Sequence, residues 1–258
     1  MERSTRLTIL GCSGGIGSGR HTTCFMIDDD VLIDVGTGVT TLDFEQLRRI
    51  DHVFLTHAHL DHVLGLPLLL DSVGDLRRAP VIVHALPEVL EVLSAHLFNW
   101  HLWPDFREIP SKDAPWLRFE ALALGDSLTL NGRTFRTLPA NHVVPACAYH
   151  LTSPAGSLVF SGDTTHSDAF VDAVNAIPDL RHLIIETSFE NALVDIARVS
   201  KHHWPDSLAA ELNALTVRPA VWITHLKPGN ESAIMAELHA ATPDWAVAAL
   251  IQGQTIAV

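Results

Sequence analysis

Three histidines and an aspartate stand within six consecutive residues, His57-Ala58-His59-Leu60-Asp61-His62. Imidazole nitrogens and carboxylate oxygens are the usual protein donors to zinc, manganese and iron. Residues 51–56, just ahead, read as a buried strand; residues 61–71 read as a helix that tolerates Pro67 near its start. In extended backbone alternate side chains point the same way, so His57 and His59 can reach one ion. Asp61 and His62, at the turn into the helix, can then face a second ion beside it. Packed together without a cation, these groups would compete for too few polar partners.

The remaining donors must come from elsewhere, and three other stretches offer them at strand ends. "TFRTLPANH" ends in His142, "SLVFSGD" in Asp163 and "AVWITH" in His225. Each is an apolar or alternating run followed by one ligand-type residue, so all three can meet at a common sheet edge. Singly, each is an ordinary polar residue after a strand or an ordinary turn. With the six-residue cluster in place, a shared metal centre explains them better.

A second motif competes with this reading. "LTILGCSGGIGSG" places glycines at 11, 15 and 17, the spacing of a dinucleotide-binding loop in short-chain dehydrogenases. Such a loop must open a helix, whereas Cys24–Ile27 and residues 31–35 flank Asp28-Asp29-Asp30 like the arms of a hairpin. The tyrosine-lysine pair of those enzymes is missing too: the single tyrosine, Tyr149, is followed four residues on by Ser153. The oxidoreductase reading fails, and the loop is architectural or substrate-facing.

Composition agrees with a globular metalloprotein. The 258 residues are 47% hydrophobic and 18% charged, without a low-complexity tract or linker, so one domain over 1–258 is expected. Sixteen histidines against one tyrosine point to metal chemistry, and the net charge of −13 argues against stable nucleic-acid binding. Cys12, Cys24 and Cys147 form no C-x-x-C pair, so they read as small buried residues rather than thiolate ligands. The apolar run in "MERSTRLTIL" is too short for a secretory signal, and no window has the apolar length of a membrane span. The expectation is a cytoplasmic protein with no membrane partner; a homodimer is compatible with it.

The order H-x-H-x-D-H, then His, Asp and His, resembles the metallo-β-lactamase superfamily. That resemblance implies an α/β fold, a four-layer αββα sandwich with the site at one edge. It implies that His57, His59 and His142 hold one metal, that Asp61, His62 and His225 hold the other, and that Asp163 bridges them. Asp34 in "LIDVGTG" resembles the superfamily's first motif, an aspartate that supports the ligands. Within the superfamily, "HAHLDHVLGLPLL", "HLFNWHLWPDF", "IIETSFEN", "SKHHWPDSLAAEL" and "THLKPG" resemble segments of class II 3′,5′-cyclic-nucleotide phosphodiesterases.

The implied activity is hydrolysis of cyclic AMP or cyclic GMP, small anionic diesters, to 5′-monophosphates by two divalent ions. Zinc is the first expectation, with manganese or iron as alternatives. Asp61, which doubles as a ligand, and His202 are the candidate catalytic residues, with His202 donating a proton to the leaving oxygen or clamping the phosphate. Its neighbour His203 competes for that role. Phe98, Trp100 and Trp103 either stack on a purine or pack a helix onto the core. "HVVPACAY" and "SGDTTHSD" also fit the tRNA 3′-processing endonuclease, but the basic glycine- and proline-rich arm of that enzyme is missing. Thioester hydrolysis and a non-catalytic, metal-dependent effector-binding role are the further alternatives.

Overall fold

The computed structural model describes residues 5–258. The first half of the chain forms β1 (Arg6–Gly11), β2 (Cys24–Ile27), β3 (Val31–Ile33), α1 (Phe44–Arg49), β4 (His52–Phe54), α2 (Leu60–Val63), α3 (Gly65–Val73), β5 (Val81–Ala85), α4 (Pro87–Val92) and β6 (Leu117–Ala121). The second half continues with β7 (Ser127–Leu130), β8 (Arg133–Pro139), β9 (Cys147–Ser153), β10 (Gly156–Phe160), α5 (Asp168–Asn175), β11 (His182–Glu186), α6 (Val194–Ser200), α7 (Pro205–Ala214), β12 (Ala220–Thr224), α8 (Glu231–Ala241), β13 (Val247–Ala249) and β14 (Thr255–Ala257). As expected, the Asp28-Asp29-Asp30 turn joins the antiparallel pair β2 and β3, and no helix follows the glycine loop.

These strands build two seven-stranded mixed sheets, ordered β14-β1-β2-β3-β4-β5-β6 and β13-β12-β11-β10-β9-β8-β7. Aromatic side chains join them face to face. Phe54 stacks on Phe135 with ring centroids 4.3 Å apart, and Phe25 meets Phe160 edge-on at 4.8 Å. The buried Tyr149 hydroxyl donates to the Leu55 carbonyl at 3.0 Å, so its one polar atom is satisfied across the sheets. Outside the second sheet, Phe170 and Val174 of α5, Leu208 and Leu212 of α7, and Ile234 and Leu238 of α8 cover Val159, Leu183, Ile185, Val221 and Ile223. Leu66, Leu69 and Leu70 of α3 and Val89 of α4 join the core that includes Val53, Val81 and Val83 of the first sheet. The layers are therefore helix, sheet, sheet, helix.

Strand direction determines where the chemistry gathers. β10, β11 and β12 run parallel, and β8 shares their direction because β9 is antiparallel to both β8 and β10. The carboxyl ends of β8, β10, β11 and β12 thus share one edge. In the first sheet β3 and β4 are likewise parallel.

The helix expected over 61–71 begins at Leu60 and is divided into α2 and α3. The Gly65 N–H turns aside to the Val35 carbonyl at 2.8 Å, and Pro67 has no N–H to continue the ladder. No helix among the described residues is long and apolar enough to cross a membrane.

Candidate metal centre

His57, His59, Asp61 and His62 follow β4, His142 follows β8, Asp163 follows β10, and His225 follows β12 directly. The structure brings all seven together. Donor atoms of His57, His59, His142 and Asp163 lie within 4.8 Å of one another, as do those of Asp61, His62 and His225. Asp163 stands between the groups: its Oδ2 is 3.7 Å from His57 Nε2, 3.4 Å from His62 Nε2 and 3.3 Å from His225 Nε2. Asp61 Oδ2 lies 3.2 Å from His225 Nε2, and His59 Nδ1 lies 3.2 Å from His142 Nε2.

Backbone shape aims these side chains. Gly162, just before Asp163, has φ +61°, which lets the chain turn sharply at the end of β10. Asp34 and His225 adopt positive φ without being glycine, strain of a kind that clusters at functional sites. The glycine loop accounts for its own composition at Gly14, where a Cβ would lie 2.3 Å from the His225 carbonyl oxygen and 2.9 Å from its Nδ1. The loop packs against His225, and its bonds secure the strand end: the His225 N–H donates to the Cys12 carbonyl at 2.8 Å, and the Gly14 N–H to the Leu226 carbonyl at 3.0 Å.

Hydrogen bonds behind the cluster assign the protons. Asp34 accepts from the Thr56 N–H and hydroxyl, both at 2.8 Å, and from His62 Nδ1 at 2.7 Å. With the Thr56 hydroxyl proton committed to Asp34, His57 Nδ1 donates to Thr56 Oγ1 at 3.0 Å. His142 Nδ1 donates to the Lys201 carbonyl at 3.1 Å. Ser188 gives its proton to Glu186 Oε2 at 2.9 Å and accepts from His225 Nδ1 at 2.9 Å. Four rings are thereby protonated on the outer nitrogen, which leaves Nε2 as a lone-pair donor toward the centre.

His57 Nε2 and His62 Nε2 are buried without any hydrogen-bond partner. Such orphaned acceptors beside two carboxylates are the donor set a divalent cation satisfies. Charge follows the same pattern. Burial works against the ionised carboxyl of Asp163, yet His225, His62 and His57 hold it well below the ordinary range. Burial pushes His142 down to about 4 and His57 well below its usual value, which favours the neutral, ligating form.

His202 completes the cleft. Its ring lies 5.1 Å from that of His142 and is stacked 5.2 Å from that of His225. Its Nδ1 is 2.6 Å from Glu186 Oε1, and the Thr164 N–H binds the same oxygen at 3.0 Å. Burial disfavours charge on His202, but Glu186 overcomes this and raises its pKa. His203 turns elsewhere, with Nδ1 on Ser207 at 2.9 Å and Nε2 buried near Glu211.

Glu186 and Ser188 were not singled out from the sequence, although both lie in the "IIETSFEN" stretch. Their signal is a buried acidic residue at the carboxyl end of an apolar strand. Of the two readings of the aromatic segment, core packing holds for two of its three side chains. Phe98 is wholly buried in the core and has no face to offer a base, Trp103 packs against that core, and Trp100 is 58% exposed. Cys24 and Cys147 are buried, as expected, and Cys12 is half-buried.

The model of the metallo-beta-lactamase superfamily matches residues 17–200. The chain belongs to that superfamily. The family implies divalent ions at such a cluster. Ribonuclease Z of Bradyrhizobium diazoefficiens is 32% identical over 145 residues, 53% of this chain and 46% of that protein. A probable 3′,5′-cyclic-nucleotide phosphodiesterase of Yersinia pestis is 27% identical over 206 residues, 70% of this chain and 58% of that protein. The matched stretch spans about half the length of these curated relatives. Unliganded yeast PDE1 superposes with a TM-score of 0.83 at 17% identity, covering 99% of both chains, a likeness of fold.

Proposed function

We propose that this chain is a two-metal phosphodiesterase that opens 3′,5′-cyclic nucleotides to 5′-monophosphates. The observation that carries the reading is His202, a ring held at Nδ1 by Glu186 and standing with Asp163 and His225 at the centre of the donor cluster. His57, His59 and His142 would hold one ion and Asp61, His62 and His225 the other, with Asp163 shared. Two divalent ions there supply an activated water and charge stabilisation for phosphodiester cleavage. Asp61 and Asp163 offset only part of that charge, so the centre attracts an anionic diester within an acidic chain. His202 keeps a proton at Nε2 for the departing 3′ oxygen, while Glu186 orients the ring and stabilises its charged form.

The small cyclic substrate is supported by the net charge of −13, by the absence of a basic arm, and by the relative from Yersinia pestis, whose match covers more of this chain than that of the ribonuclease. The higher identity to Ribonuclease Z favours a second reading, cleavage at tRNA 3′ ends. Metal-loaded protein is to be offered cyclic AMP, cyclic GMP and a precursor tRNA side by side, with products resolved by chromatography. Formation of 5′-monophosphates is expected. Intact cyclic nucleotides beside a trimmed tRNA overturn the proposal in favour of the second reading.

A further inference from the structure

Lys201 follows the last residue of α6 and holds a left-handed backbone, φ 52° and ψ 52°. Glycine is the usual residue at such a helix end, because a Cβ is crowded there. This strained lysine makes a two-way contact with one candidate ligand. Its carbonyl accepts from His142 Nδ1 at 3.1 Å, and its Nζ donates back to the His142 carbonyl at 3.1 Å. Nζ also donates to Asn141 Oδ1 at 3.0 Å.

Asn141 is joined in turn to the loop after Asp163. Its N–H binds Thr164 Oγ1 at 3.0 Å, its carbonyl accepts from the Thr165 N–H at 3.0 Å, and its amide donates to the His166 carbonyl at 2.9 Å. The residue after Lys201 is His202. One side chain therefore ties together the segments that carry His142, Asp163 and His202. The opposite group has separate supports, Asp34 behind His62 and Ser188 behind His225.

We infer that Lys201 is the positioning residue for the His142 side of the centre, and that the lysine is kept at a glycine-favouring position because its ammonium fixes the His142 backbone. This rests on the two-ion reading. Lys201 acts chiefly on the ion held by His57, His59 and His142, and less on the ion held by Asp61, His62 and His225, which it reaches only through the shared Asp163.

The test titrates zinc-loaded wild type, Lys201→Gly and Lys201→Met with a chromophoric chelator, and measures Tm of the metal-free proteins. In both variants one of two ions should be lost on the order of 10-fold more readily, while the other shifts by less. Metal-free Lys201→Gly should melt above Lys201→Met, since both lose the ammonium contacts and only glycine relaxes the left-handed turn. Two ions held as in wild type, or both weakened to the same extent, overturn the inference. A wild type that takes up no ion overturns the two-ion reading itself.

Discussion

The outer nitrogens of His57, His62, His142 and His225 are each bound to a partner, and the inner ones face a common centre. His202 follows the same rule with Glu186 as its partner, and Glu186 raises its pKa. In the proposed reaction this ring carries the proton. His202→Ala should therefore lower kcat on cyclic nucleotides by ~10²–10⁴-fold, with metal content unchanged by elemental analysis. A p-nitrophenyl diester, whose leaving group needs no proton, should recover much of the loss. Loss of metal from the variant would make the residue a ligand or a support instead. The choice between His202 and His203 was closed to the sequence, because adjacent histidines differ only in what folds against them. Glu186 lies 16 residues from His202, and their contact exists only once β11 is laid beside the α6–α7 turn.

Between elements, Arg133 at the start of β8 clasps the turn joining β2 and β3. Its guanidinium is almost wholly buried and reaches Asp28 at 3.1 Å and Asp30 at 2.6 Å, linking one sheet to the other. Burial raises the Asp30 pKa, but Arg133 outweighs it and holds the carboxyl below its usual value. The stabilisation is complete above the unfolded carboxylate pKa, near 3.8, and is lost as the pH falls through the lower, folded value. Arg133→Gln should cost about 1.5–3 kcal/mol at neutral pH by urea unfolding. The variant should also show a shallower fall in stability below pH ~4 than wild type; an equal fall would show that the clasp contributes no pH dependence. The hairpin itself was legible from Asp28-Asp29-Asp30, since local turn chemistry specifies it. Its tie to Arg133 was not, because the two are about a hundred residues apart. The break between α2 and α3 was hidden for a similar reason: the Gly65 N–H goes to a carbonyl on a distant loop.

At the scale of the molecule, both sheets follow one plan, three antiparallel pairings and then three parallel ones. Facing each other, they bring strand ends from both halves of the chain to one cleft, which is why donors scattered from 57 to 225 converge. Their types and spacing were readable in the sequence because each follows a strand, directly or at the turn into the next helix. Whether this convergence binds two ions at Asp163 is decided by an anomalous difference map from crystals grown with zinc. Two peaks are predicted, one against His57, His59 and His142 and one against Asp61, His62 and His225, with the Asp163 carboxylate between them. A map with no peak in this cleft, or with zinc only on exposed histidines elsewhere, would contradict it.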